Sequence, residues 1–132
     1  MLVLSLALCG SAVHAEDNFE KGASAAAETW LGHVDAGDYA GSWREASTYF
    51  QGVITEQAWV ASLQGVRTPL GQRLSRQLKQ VQHTQSMPGA PDGDYVVMQF
   101  DTRFANKHAA VETVTFMQEK QGAWKAAGYY IK

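Results

Sequence analysis

The sequence predicts an α+β protein in which helices from the first half pack on an antiparallel sheet from the second half. Apolar residues repeat with helical period from Ala23 to Val34, and β-rich runs alternate with turn clusters over residues 88–132. The chain has 132 residues and is 45% hydrophobic. This length suits one ordinary core and makes a second domain unnecessary.

Three helices are predicted before the sheet. The first ends at Gly37, Asp38 caps a second that ends near residues 49–50, and Thr55 caps a third that ends at Gly65. Each predicted helix contributes one tryptophan: Trp30, Trp43 and Trp59. Pro69 predicts a turn over residues 67–71, because proline interrupts helices.

The sheet is predicted to have four strands. Residues 73–85 are read as a long, half-exposed first strand, because the meander over residues 88–132 needs a neighbour to cover its edge. A helix is the alternative, since Leu74, Leu78 and Val81 also have helical spacing.

A four-residue loop at 105–108 pairs Phe104 with Ala109 and sets the predicted register. The predicted core face contains Val96, Met98, Phe100, Phe104, Val111, Thr113, Thr115, Met117, Trp124, Ala126, Gly128 and Tyr130. The opposite face then carries an apolar patch of Val97, Val114, Phe116, Tyr129 and Ile131. Such a patch predicts a homodimer through the outer sheet face.

The N-terminus predicts export. The run from Leu2 to Ala12 is almost wholly apolar, is too short for a bilayer span, and is followed by a peptidase-like site ending at Ala15. Residues 1–15 are therefore predicted to be a signal peptide, and residues 16–132 a single periplasmic or secreted domain without a transmembrane segment. One feature of signal peptides is missing, because no Lys or Arg precedes the apolar run. A buried N-terminal strand or helix is the less favoured alternative, because such an element usually shows a polar face.

Cys9 lies inside this apolar run, in a string similar to a bacterial lipobox. Leu8 stands where a lipobox needs a small residue, so lipid anchoring at Cys9 is the less favoured alternative. Cleavage after Ala15 leaves a mature chain with no cysteine, and hence with no disulfide or thiol chemistry.

Charge and motifs exclude several function classes. The chain has 11 basic and 13 acidic residues, dispersed and with net charge -2, so no nucleic-acid partner is expected. His33, His83 and His108 fall on different predicted elements without metal-ligand spacing, and no metal or other cofactor is expected. The glycine-rich string at 88–93 is interpreted as a turn, not as a phosphate cradle.

Glu112 is the most informative polar residue, because a carboxylate amid Thr and Val in a strand needs a partner. The candidates are Arg76, Arg103 and the hydroxyls of Tyr129 or Tyr130. A structural ion pair is the favoured interpretation, and a ligand-orienting or general-base carboxylate in a tryptophan-lined pocket is the alternative. The candidate binding residues are Trp30, Trp43, Trp59, Arg76, Glu112 and Tyr130.

Several strings together resemble an exported bacterial family known as domain-of-unknown-function family 4019. They are RxPLG at 67–71, PGxPDGxY at 88–95, Phe100, Phe104, Lys107, Glu112, Trp124 and GYYI at 128–131. The resemblance implies a nuclear-transport-factor-2-like or cystatin-like cone, in which helices pack into a curved antiparallel sheet. It implies no established activity.

The sequence is compatible with two functions. The first is a non-enzymatic periplasmic module that binds a small hydrophobic ligand or a protein. The second is an isomerase- or dehydratase-like enzyme with a pocket inside the cone, which needs a carboxylate base and an oxyanion donor. Glu112 with Tyr130 or Tyr49 forms that pair only if the register slips by one residue, because the predicted register points Glu112 away from the helices.

Overall fold

The computed structural model describes the backbone of residues 11–132 and the side chains of residues 18–132. In this part of the chain, four helices precede four strands: α1 (Ser11–Asp35), α2 (Tyr39–Arg44), α3 (Thr48–Val53), α4 (Glu56–Leu70), β1 (Arg73–Thr84), β2 (Tyr95–Phe104), β3 (Lys107–Gln118) and β4 (Trp124–Ile131). The strands form one antiparallel sheet in the order β1-β2-β3-β4. The α+β class and the first strand are confirmed. The predictions for Cys9 and the apolar run up to residue 10 lie outside the described residues.

Within residues 11–132 the helices number four, not three, because the second predicted helix is divided. Asp38 and Thr55 are N-caps as predicted, and each side chain accepts a hydrogen bond from the backbone three residues on. The division occurs at Ser47, whose Oγ accepts from the Phe50 amide at 3.1 Å. The Ser47 amide donates to the Ala126 carbonyl at 2.8 Å, so the chain is tied to the sheet there and a new helix begins.

Helix α4 continues past its predicted end at Gly65 and includes Pro69 in its last turn. Gly71, with φ of 74°, follows the final residue. Proline in the last turn removes only one helical hydrogen bond. The buried side chain of Arg67 anchors this turn, since its guanidinium lies over the Phe104 ring at 4.8 Å.

The turn between β2 and β3 is shorter than predicted, and this changes the register. Phe104 pairs with Lys107 across a two-residue turn, and a bulge precedes the pair. The turn is tied to the end of α4, because the Asn106 amide donates to the Leu70 carbonyl at 2.9 Å. Phe100 consequently pairs with Glu112, one residue away from the predicted partner.

A one-residue slip exchanges the two faces of a strand. The residues of β3 that face the helices are Ala110, Glu112, Val114 and Phe116, and all four are buried. The prediction that Val111, Thr113, Thr115 and Met117 form the core face was therefore wrong. In β4, a register shift opposite Thr115 and Phe116 turns Tyr129 inward and leaves Tyr130 52% exposed. Trp124 and Ala126 join the core as predicted, whereas Gly128 and Tyr130 do not.

In the observed register, the predicted apolar patch is not on the outer face of the sheet. Val114 and Phe116 are 0% and 1% exposed and belong to the hydrophobic core, and Tyr129 packs against that core. The surface on which the homodimer was predicted therefore does not exist in the predicted form.

Helix α1 covers the sheet with a stripe of alanine and branched aliphatic side chains. Ala23, Ala27, Leu31 and Val34 are all buried against it. Gly22 permits a close approach, because a β-carbon there would lie 3.1 Å from Nε1 of Trp124. Over residues 11–132, no helix is long and apolar enough to cross a membrane.

Candidate functional site

A buried network of charged and polar side chains joins the helices to the sheet at one end of the core. It draws on α1, α4 and all four strands, and its members are Asp35, Arg67, Arg73, Arg76, Thr102, Glu112 and Tyr129. Two carboxylates, Asp35 and Glu112, are its centres.

Glu112 is fully buried and accepts four hydrogen bonds. Its Oε1 accepts from Nε of Arg76 at 2.7 Å and from Oγ1 of Thr102 at 2.5 Å. Its Oε2 accepts from Nη2 of Arg76 at 3.1 Å and from the hydroxyl of Tyr129. Since a carboxylate offers about four lone-pair sites, this one has none left for a further donor.

The sheet register brings these partners together. Arg76 pairs with Thr102 in the β1–β2 ladder, and Phe100 pairs with Glu112 in the β2–β3 ladder. Alternation along each strand then directs Arg76, Thr102 and Glu112 to the face covered by the helices. The network therefore depends on the observed register, which differs by one residue from the predicted register.

Asp35, the last residue of α1, is held by three arginines. Arg76 makes a bidentate pair with it at 2.7 and 2.8 Å, Arg67 donates at 3.0 Å, and Nε of Arg73 lies at 3.2 Å. Burial by itself would raise the pKa of Asp35, but the hydrogen bonds and charges of Arg76 and Arg67 outweigh it, so the pKa is lowered. Asp35 is therefore ionised at neutral pH and ties α1 to α4 and β1.

Tyr129 is a hydrogen-bond donor rather than an acid in this site. Burial raises the pKa of its hydroxyl, and the charge of Glu112 raises it further. Burial lowers the pKa of Arg76, but the hydrogen bonds that its guanidinium donates to Asp35 and Glu112, together with their charges, outweigh this and leave the pKa raised. These fixed charges and hydrogen-bond donors are better suited to holding the helices on the sheet than to transferring a proton.

The tryptophans predicted to line a pocket lie in or against the core. Trp30 and Trp59 are 4% and 6% exposed, and both indole nitrogens bond to Ser42, at its carbonyl (2.8 Å) and its Oγ (2.9 Å). Trp43 donates to the Ile54 carbonyl at 2.9 Å. Their contacts with the rest of the core match those of structural aromatic residues.

Of the predicted partners of Glu112, the structure places Arg76 and Tyr129 on it. Arg103 lies on the opposite face of β2 and Tyr130 on the surface of β4. Sequence reasoning missed Asp35 and Arg67. Both continue a buried helical stripe, Asp35 after Ala27 and Leu31, and Arg67 after Trp59 and Leu63. A charged residue at the next position of an apolar stripe was the available signal.

The three histidines whose side chains the structure describes, His33, His83 and His108, are separate from this network. His33 contacts Asp38 at 2.9 Å, and His83 contacts Asp94 at 2.8 Å. His108 is exposed at the start of β3. Within the described part of the chain, no group of three or more His, Cys, Asp or Glu side chains is arranged to hold a metal ion.

The protein therefore belongs to the α+β class, and a buried network of carboxylates and guanidinium groups joins its helices to an open antiparallel sheet. The chain belongs to the family described as "Protein of unknown function (DUF4019)", whose model matches residues 26–129. This span includes every member of the network. No curated protein and no solved structure matches the chain.

Proposed function

We propose that this protein is an exported, non-enzymatic module that binds a small molecule or another protein on the outer face of its sheet. The observation that carries the proposal is a groove of about 740 Å³ across β1, β2 and β3. The residues along it that point away from the helices include Ser75, Gln77, Asp101, Arg103 and Val111. Its size lies in the range of small-molecule sites.

Glu112 is the reason to prefer binding over catalysis. A general base needs a carboxylate that can reach a substrate and accept its proton. Glu112 has no exposed surface, and both of its oxygens are already hydrogen-bonded by neighbouring donors. Breaking those contacts would leave buried charges unpaired, which is costly.

An isomerase- or dehydratase-like enzyme is the second candidate, and one observation favours it. The register does differ by one residue from the prediction, so Glu112 points toward the helices beside the hydroxyl of Tyr129. A carboxylate beside a hydroxyl donor is the pair such chemistry needs. The pair is bonded to itself, however, and we rank this candidate below the binding module.

The proposed fold in finer detail is a nuclear-transport-factor-2-like or cystatin-like cone. Register shifts in every strand pair support a curved sheet, because bulges bend strands and increase their twist. Helix α1 contacts all four strands from one side, as a cone requires.

Export is compatible with the packing of α1. The Phe19 ring packs against Trp124 and His83, with distances between ring centroids of 5.8 Å and 5.0 Å. Cleavage after Ala15 leaves these contacts in place. Intact-mass measurement of the protein from a periplasmic fraction should show a chain starting at Glu16. A chain that retains Met1 or carries lipid on Cys9 would contradict the proposal.

The binding proposal is tested by blocking the groove. Val111→Arg places a long cation in it, and Val53→Arg, at a 63% exposed position on α3, is the matched control. We expect native mass spectrometry of the protein purified from periplasm to show added mass, or a partner, for wild type and the control only. If both the Val111→Arg and the Val53→Arg variants keep the bound species, or if both lose it, the contact does not lie in the groove.

A second copy of the chain remains one candidate protein partner. On the outer sheet face, the interface would use groove residues, because Val114 and Phe116 are buried. Light scattering on the Val111→Arg variant distinguishes this case, since a dimer through the groove should become a monomer.

A further inference from the structure

We propose that a second cleft, beside the loop at residues 88–93, binds a small organic cation with an apolar body. The cleft has a volume of about 390 Å³ and lies between α3, this loop and the β3–β4 turn. It shares no lining residue with the groove on the outer sheet face. The inference therefore stands independently of the proposed function.

The loop at 88–93 forms one wall and is held in place from two sides. The Tyr95 hydroxyl donates to the Pro91 carbonyl at 2.5 Å, and the Tyr49 hydroxyl donates to the Gly89 carbonyl at 3.2 Å. The Gly93 amide donates to the Gln85 carbonyl at 3.1 Å. Gly89 has φ of 77°, a conformation that favours glycine. A wall fixed in this way loses little freedom when a ligand binds.

The turn between β3 and β4 forms the facing wall, and hydrogen bonds hold it in place as well. The Glu119 amide donates to the Ala123 carbonyl at 2.8 Å, closing the turn. The Glu119 carboxylate accepts from the Thr48 amide at 2.8 Å, which joins the turn to the start of α3. The cleft is therefore preformed on both sides, as small-molecule sites usually are.

The chemistry of the lining selects for a cation. Tyr49, Pro91 and Met117 supply apolar and aromatic surface. The charged groups are the carboxylates of Asp92 and Glu119 and the ammonium of Lys120, so negative charge is in excess. An aromatic ring beside carboxylates attracts a cation through both the ring quadrupole and the charges. An anion would meet a net repulsion.

Benzamidinium is a suitable probe, because it combines a delocalised cation with an aromatic ring, and neutral benzamide is its matched control. We expect amide NMR signals of residues 48–49, 89–90, 92–93 and 117–121 to shift with benzamidinium at millimolar concentration and much less with benzamide. Added salt should weaken the binding. Absence of shifts, shifts spread over the whole surface, or equal shifts with benzamide would overturn the proposal.

Two charge variants sharpen the test. Asp92→Asn should weaken benzamidinium binding by roughly two- to fivefold, the range expected for one exposed ion pair, and Lys120→Gln should strengthen it. Glu28→Gln removes the same charge from the exposed face of α1, away from both clefts, and should leave the affinity unchanged. Equal weakening by Asp92→Asn and Glu28→Gln would show attraction to overall charge only, and would refute a specific site.

Discussion

The hydroxyl of Tyr129 on β4 donates a hydrogen bond to Oε2 of Glu112 on β3, in the interior of the molecule. The adjacent residue, Tyr130, is 52% exposed and lies on the other face of β4. Two neighbouring tyrosines in the same GYY string therefore have opposite surroundings. They provide a matched pair of positions for testing what the buried network contributes.

Glu112→Gln should lower the free energy of unfolding by about 1–3 kcal/mol. The NH₂ group of the glutamine side chain would face the N–H and O–H donors that now contact the carboxylate. Urea denaturation measures the change. Glu28→Gln, at an exposed carboxylate of α1, should change stability by no more than about 0.5 kcal/mol. A Glu112→Gln protein as stable as wild type would contradict the structural role and strengthen the enzyme candidate.

Tyr129→Phe should lower the free energy of unfolding by about 1–2 kcal/mol, since it removes one donor from a buried carboxylate oxygen. Tyr130→Phe removes the same hydroxyl at the surface and should be nearly neutral. Urea denaturation of the two variants side by side gives the comparison. Equal effects would mean that the contact with Glu112 is energetically unimportant.

The stability contribution of Tyr129 should depend on pH in the alkaline range. Burial and the charge of Glu112 raise its pKa, so the folded state keeps a proton that the unfolded state loses near pH ~10. The contribution is fully present below that pH and declines above it, by up to about 1.4 kcal/mol per pH unit. The difference in unfolding free energy between wild type and Tyr129→Phe should therefore shrink between pH ~10 and pH ~11. A constant or growing difference would contradict this assignment.

Ser42→Ala should destabilise the helical layer by about 1–3 kcal/mol, because it leaves the buried indole nitrogen of Trp59 without an acceptor. Ser62→Ala, at an exposed position of α4, is the control. Thermal unfolding followed by tryptophan fluorescence measures both. A stable Ser42→Ala variant would indicate that Trp59 finds another partner, such as water in an unfilled space.

Phe116→Asp should unfold the chain, because the register places this side chain in the core at 1% exposure. Tyr130→Asp introduces the same charge on the neighbouring strand at an exposed position and should leave the fold intact. Circular dichroism distinguishes the two. A folded, monomeric Phe116→Asp protein would restore the outer-face patch that the sequence predicted.

The sequence alone determined the features that depend on nearby residues. The caps at Asp38 and Thr55 were readable because a capping side chain bonds to an amide three residues along. The four strands, the order of helices before sheet and the family resemblance also followed from local patterns. Arg76 was named as a partner for Glu112 because a carboxylate in a strand needs a compensating charge.

The tertiary structure decided the features that depend on distant residues. The tight turn after Phe104 is held by the backbone at the end of α4, where the Asn106 amide meets the Leu70 carbonyl. Ser47 starts a separate helix while its amide bonds to Ala126 in the sheet. Neither bond is visible in a local pattern. Because the side-chain period of a strand is two, the single-residue difference in that turn reversed β3 and turned Glu112 from the surface into the core.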